Sequence, residues 1–279
     1  MNGIAYYNGI FSTTDKIGIP LSDRSVFFGD GIYDAALVHR GSIYLKSEHI
    51  NRFFRSAEQI GLDTSDIKDG LPRLLASIAA MEDCEDSFLY FQLTRNGESR
   101  KHEYSEGSSV NLLITLTRTQ HPDVTRAIRV STCDDNRHGL CHIKTLNLLP
   151  AVLACTDAKQ RGFDEAILIR NGIVTECAHS SLFIVKSEVL ITHPLNNSIL
   201  PGIMRKRIIE IARTRQIRCE ERFFDKNELY SADEVFITSS SRLGSPVYQV
   251  DEVNYPKIGS SLTEFLLKEL YSDYLINTV

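Results

Sequence analysis

The sequence has no Cys-x-x-Cys pair; its six cysteines, Cys84, Cys133, Cys141, Cys155, Cys177 and Cys219, are scattered. That scatter argues against metal ligation or a disulfide framework and fits a reducing cytoplasm. No run of Lys and Arg suggests a basic patch and the formal net charge is −5, so nucleic acid is not expected as a main partner. No apolar stretch reaches the roughly 18 residues that a membrane helix needs. Residues 1–10 lack the basic start and long apolar stretch of a signal peptide, so none is expected. Internal repeats and low-complexity segments are also missing. What remains is an ordinary globular composition, 42% hydrophobic and 24% charged over 279 residues. That length suffices for one large domain or two medium ones.

Local patterns suggest two such domains. Residues 4–7 read as a strand leading into a hairpin-type Asn8-Gly9 turn. Residues 47–55 carry apolar side chains at helical spacing behind Ser47, the expected N-cap, and 71–81 suggest a second helix. Strand patterns at 88–94 and 110–116 flank a polar loop. Thr119-Gln120-His121-Pro122-Asp123 is polar and proline-bearing, which makes 120–123 a linker between domains at 1–119 and 124–279. Beyond it, strand patterns at 128–132, 165–169, 182–185 and 234–237 alternate with helical ones at 151–161, 204–214 and 262–274.

Against this frame Lys144 stands out, in Ile143-Lys144-Thr145-Leu146-Asn147-Leu148-Leu149. A lysine among apolar neighbours is costly to desolvate, and a desolvated amine is nucleophilic enough to form a Schiff base. Alone, the run reads sooner as a solvated lysine at a strand end. Glu176 follows, in Val174-Thr175-Glu176-Cys177-Ala178-His179-Ser180-Ser181, and then Leu200-Pro201-Gly202-Ile203-Met204 opens a helical pattern. The amides of a helix N-terminus bind anions. Thr238-Ser239-Ser240-Ser241 adds hydroxyls at a strand end. Amine, carboxylate and anion site are the three parts that pyridoxal 5'-phosphate requires, for its aldehyde, ring nitrogen and phosphate.

Together with Phe28-Gly29-Asp30-Gly31-Ile32-Tyr33, Glu48-His49-Ile50-Asn51-Arg52, Tyr90-Phe91-Gln92-Leu93-Thr94-Arg95 and Thr192-His193-Pro194-Leu195-Asn196-Asn197, the chain resembles the fold-type IV pyridoxal phosphate enzymes. That family includes D-amino acid aminotransferases, branched-chain aminotransferases and aminodeoxychorismate lyases. The resemblance implies an α/β (α+β) fold of two domains. The N-terminal α/β domain would be the smaller, the C-terminal domain would have a β-barrel-like core, and the cofactor would lie at their interface. It implies Lys144 as the Schiff-base lysine and Glu176 as partner of the ring nitrogen. Arg52, the Ile203 and Met204 amides, Ser239 and Ser240 would hold phosphate, with Leu200 packed on the ring. Arg100 and His102, at i and i+2, resemble the carboxylate trap of the D-amino acid aminotransferases, which the tyrosine matching Tyr33 completes. In that family the trap reaches across a homodimer. The substrates implied are D-amino acids such as D-alanine and D-glutamate, and 2-oxo acids.

Several positions depart from the family. Ser181 stands for the usual Asn, Met204 for a hydroxyl residue, Asp34 for Glu and His179 for Ser, while Arg242 has no counterpart. These departures bear on substrate identity. They leave open a branched-chain or (R)-amine transaminase, a lyase of the same fold, and a cofactor carrier without turnover.

Overall fold

The computed structural model describes residues 3–82, 84–97, 100–255 and 261–278. The chain divides into two compact units. Unit 1 comprises Met1–His121, Ile143–Asn147 and Tyr274–Val279, and unit 2 comprises Pro122–His142 and Leu148–Asp273. The segment carrying Lys144 therefore belongs to unit 1, although it follows the linker in sequence.

Unit 1 runs β1 (Ile4–Tyr7), β2 (Ile10–Thr13), α1 (Ser25–Phe28), β3 (Gly31–His39), β4 (Ser42–Ile43), α2 (Lys46–Gln59), α3 (Leu71–Ala79), β5 (Asp86–Arg95) and β6 (Val110–Arg118). Its six strands form a sheet in the order β2-β1-β6-β5-β3-β4, antiparallel throughout. Ile50, Phe53 and Ala57 recur along α2 at helical spacing and enter the core with Leu89, Phe91 and Leu93 of β5. Phe53 is fully buried, its ring 4.8 Å from that of Phe91; truncating a side chain so placed costs about 3–5 kcal/mol. The helix begins one residue before Ser47. Leu45, in the left-handed region at φ 48°, is the N-cap, with no side-chain capping bond. Ser47 is thus helical and the expected cap is corrected.

Unit 2 runs β7 (Ile128–Asp134), α4 (Leu149–Gln160), β8 (Glu165–Arg170), β9 (Ile173–Cys177), β10 (Ser181–Lys186), β11 (Val189–Thr192), α5 (Ile203–Thr214), β12 (Cys219–Glu221), α6 (Lys226–Tyr230), β13 (Glu234–Ser239), β14 (Leu243–Val250), β15 (Val253–Asn254) and α7 (Leu262–Ile276), the last of which passes into unit 1 at Tyr274. Its mixed sheet, β12-β11-β10-β13-β14-β7-β8-β9 with β15 on β14, curls into half a barrel. Strands β8, β10 and β13 each carry at least four consecutive buried residues, the pattern of strands covered on both faces. Val130, Ile167, Leu182, Ile184, Val235, Ile237 and Val247 fill the core.

Candidate active site

In unit 1 the Lys144 segment adds itself to the edge of β3. The Tyr33 amide donates to the Lys144 carbonyl at 3.0 Å and the Leu146 amide to the Gly31 carbonyl at 3.1 Å. Ile32 and Thr145 form an antiparallel bridge, and the Lys144 amide donates to Ser56 Oγ at 3.3 Å. Gly31 is what lets the segment lie so close. A Cβ there would stand 2.7 Å from the Leu93 carbonyl oxygen and 2.9 Å from Leu146 Cδ1. The anchored backbone aims the half-buried lysine at an aromatic face, its Nζ 4.3 Å from the centroid of the Tyr33 ring. Tyr33 in turn stacks on Tyr90, centroids 5.4 Å apart.

Successive β3 residues face opposite ways, and Asp34 is fully buried where α2 packs. Arg52 grips it from Nε and Nη2, each at 2.8 Å, and His49 Nδ1 lies 2.7 Å from the same carboxylate. Burial pushes the Asp34 carboxyl up, but the Arg52 and His49 contacts outweigh it and hold the group well below the usual carboxylate range. Burial lowers His49, against the pull of Asp34 and with help from the charges of Arg52 and Lys144. The shorter Asp34 therefore still reaches both partners. Its grip fixes Arg52, the residue expected to meet phosphate.

Arg100 and His102 lie in an exposed loop and meet at one ring. Arg100 Cζ is 5.5 Å from the Phe28 centroid and the His102 ring 5.2 Å from the same centroid. Buried Arg24 holds the loop backbone, donating to the carbonyls of Lys101 at 2.6 Å and His102 at 2.9 Å. Asp30 anchors Arg24 Nε at 2.7 Å and Arg95 Nε at 3.1 Å, and the Arg95 guanidinium lies 3.6 Å over Tyr104. The roles of Arg24, Asp30 and Arg95 were not legible in sequence: only Arg24 and Asp30 are close in the chain, and their partners Arg95, Lys101 and His102 stand far from them.

In unit 2, Glu176 sits at the end of β9, buried, and one carboxylate oxygen accepts from Arg137 Nη1 at 2.6 Å and from the Leu200 amide at 3.0 Å. Hydrogen-bond donors favour the charged form of a carboxylate. Arg137 is held by Asp135 at 2.9 and 3.0 Å and donates to the Ser198 carbonyl at 2.9 Å. These contacts raise the Arg137 guanidinium above its ordinary value despite its burial. Nothing in the sequence links Arg137 to Glu176, which lies 39 residues further on. Leu200, half-buried, contributes its amide to this carboxylate.

Ile203 and Met204 open α5, both buried, behind the extended N-cap Gly202. A Cβ on Gly202 would stand 2.4 Å from Ser181 Oγ, so the first turn of α5 packs directly on the start of β10. Ser181 pairs in register with Thr238 of β13. One corner of unit 2 therefore gathers the α5 N-terminus, Ser181 and the β13 end, where Ser239 Oγ lies 3.1 Å from Ser241 Oγ and Ser240 is half-buried. Thr238 Oγ1 is buried there with no hydrogen-bond partner among the described residues. A buried hydroxyl without a partner is costly. An anion at this corner would give it one.

Of the departures, Met204 is buried in α5 and Ser181 backs Gly202, leaving backbone amides and small hydroxyls at the corner. His179 pairs through Nε2 with buried Glu165 at 2.8 Å. Arg242 is half-buried, and its charge helps hold Glu165 below its ordinary value after His179, against burial. Unit 1 thus carries Lys144, Tyr33, Arg52, Arg100 and His102, while unit 2 carries Glu176, Leu200, Ile203, Met204, Ser239 and Ser240.

Residues 31–250 match the model of the class IV aminotransferases. The chain belongs to that family. It is 35% identical over 247 residues to a D-alanine aminotransferase of Bacillus licheniformis, covering 88% of this chain and 87% of that one. The family fold recurs in a branched-chain aminotransferase from Thermoproteus uzoniensis, solved with norvaline, with a TM-score of 0.91 at 22% identity over 99% and 96% of the two chains. A branched-chain amino acid aminotransferase from T.th., solved with pyridoxamine 5'-phosphate, gives a TM-score of 0.89 at 19% identity over 99% and 95%. No helix among the described residues is long and apolar enough to cross a membrane.

Proposed function

We propose that this class IV aminotransferase uses pyridoxal 5'-phosphate to move the amino group between D-amino acids, such as D-alanine and D-glutamate, and 2-oxo acids, and that it works as a homodimer. When bound, the cofactor supplies an aldehyde that carries the amino group and a ring that withdraws electrons from the substrate α-carbon. Lys144 would hold that aldehyde through its side-chain amine. The same amine would serve as the base and acid that moves the substrate α-proton. Glu176, fixed by Arg137 and the Leu200 amide, keeps a negative charge at the ring nitrogen. The Ile203 and Met204 amides, Ser239, Ser240 and Arg52 hold phosphate, and the Thr238 hydroxyl supports that use of the corner.

The observation that carries the choice of substrate is the Arg100 and His102 pair, converging on Phe28 in a loop whose backbone Arg24 holds. Two donors held in one place bind a carboxylate on a fixed side, with Tyr33 as the third contact. Fixing the carboxylate decides which α-face presents its hydrogen to Lys144, and so which enantiomer reacts. The likeness to the D-alanine aminotransferase of Bacillus licheniformis supports the same reading.

The test is a single-turnover mixing experiment with the cofactor-loaded protein and single amino acids. D-alanine should discharge the visible cofactor absorbance, whereas L-alanine, L-leucine and L-valine should leave it unchanged. A response confined to L-leucine or L-valine would overturn the proposal in favour of branched-chain specificity. No response to any amino acid would turn it toward elimination chemistry or cofactor carriage.

A further inference from the structure

Away from the residues given roles above, three side chains from three segments of unit 2 meet around a buried carboxylate. Glu165, at the start of β8, is fully buried. Cys155 of α4 approaches one of its oxygens, Sγ to Oε1 at 3.5 Å, and His179 the other, Nε2 to Oε2 at 2.8 Å. The thiol, carboxylate and imidazole ligand atoms all lie within 4.8 Å of one another. Small residues bring these segments together, for Ala151, Ala158, Ala166 and Ala178 pack as one cluster with Cys155 against it.

We infer that Cys155, Glu165 and His179 form a binding site for a thiophilic divalent cation of the zinc type. Ligand atoms about 2.0–2.3 Å from a tetrahedral zinc stand about 3.3–3.6 Å apart, so the Cys155 to Glu165 spacing already fits. The His179 edge needs to open by about half an ångström, which a small rotation of an exposed ring supplies. Ser180 provides the outer support. Its Oγ lies 3.2 Å from His179 Nδ1 and 3.1 Å from Glu165 Oε2. Accepting from Nδ1–H, it sets the tautomer that leaves the Nε2 lone pair for the metal. The charges also balance: one thiolate and one carboxylate neutralise a divalent cation, with a neutral imidazole and a water completing four ligands. Binding forms the sulfur–metal bond and releases the Cys155 proton to solvent.

Burial and then the Glu165 charge push the Cys155 thiol up to about 12. Arg242 is the opposing charge, lowering Cys155 and Glu165. His179 lies between Glu176 and Ser181, so an occupied site would also brace the turn that joins β9 to β10.

The test is titration of the cofactor-loaded protein with cadmium, read by thiolate-to-cadmium ultraviolet absorption and by cadmium NMR, with zinc as competitor. Wild type should bind with a one-sulfur signature that zinc displaces. Cys155→Ser should lose that signature, Cys133→Ser should keep it, and Ser180→Ala should bind about tenfold or more weakly. The cofactor spectrum, unchanged in each variant, reports an intact fold. A one-sulfur signature surviving in Cys155→Ser, or equal affinity in His179→Ala and wild type, would overturn the assignment.

Discussion

Gly31→Ala would place a methyl group where three atoms already stand. The new Cβ meets the Leu93 carbonyl oxygen at 2.7 Å, Thr94 Cγ2 at 2.8 Å and Leu146 Cδ1 at 2.9 Å. Each approach falls short of ordinary contact by roughly half an ångström or more. Leu146 can swing aside. The Leu93 carbonyl cannot, because β3 and β5 pair continuously from Gly31↔Thr94 to His39↔Asp86. Overpacking of this kind costs about 2 kcal/mol, a fall in Tm of roughly 3–4 °C for a chain of this size. The strain also lands on the Gly31 carbonyl that accepts from Leu146, so cofactor content should fall with Tm. Adding Leu146→Ala should recover only the part owed to Leu146, a coupling of about 0.5–1 kcal/mol in a double-mutant cycle. Thermal unfolding by circular dichroism, with cofactor absorbance alongside, reads both effects. A Gly31→Ala protein with wild-type Tm and cofactor content would refute the account of how β3 holds the Lys144 segment.

Further outcomes follow from the same contacts. Arg100→Ala should lower kcat/KM for D-alanine roughly ten- to a hundredfold through KM, the loss of one charged hydrogen bond, with the cofactor spectrum intact; loss of cofactor instead would misplace Arg100. Asp34→Asn leaves buried Arg52 and His49 without their anion and should destabilise the protein by about 3–5 kcal/mol in thermal or urea unfolding. Because the folded Asp34 carboxyl lies below its unfolded value, its contribution is present above the ordinary range near about pH 4 and is lost as pH falls below it. The variant should accordingly show a flatter acid limb. Thr238→Val should stabilise the cofactor-free protein by about 1 kcal/mol, by removing a buried hydroxyl without a partner, yet weaken cofactor binding in a fluorescence titration. Unchanged binding would place the hydroxyl away from phosphate.

Much of the fold was readable because local chemistry agreed with it. The α2 stripe of Ile50, Phe53 and Ala57 and the buried runs of β8, β10 and β13 carry their periodicity in the sequence itself. Strands β9, β11 and β14 were not read, since they acquire their definition from neighbours in the sheet rather than from their own pattern. The Ser47 cap failed for a related reason: the left-handed turn at Leu45 ends the β4 hairpin and starts the helix early. In the candidate site, Lys144 and Glu176 could be singled out by type and setting. Their supports could not, because Arg24 with His102, Arg52 with Asp34 and Arg137 with Glu176 become neighbours only on folding. Likewise, the scatter of the cysteines gives no sign that Cys155 comes to stand beside Glu165 and His179.

The central claim is that Lys144 carries the cofactor. Borohydride reduction of the holo-protein, followed by peptide mapping in a mass spectrometer, tests it most directly. The account predicts a pyridoxyl group on Lys144 and none in Lys144→Ala. A pyridoxyl group on any other lysine of the wild-type protein would contradict it.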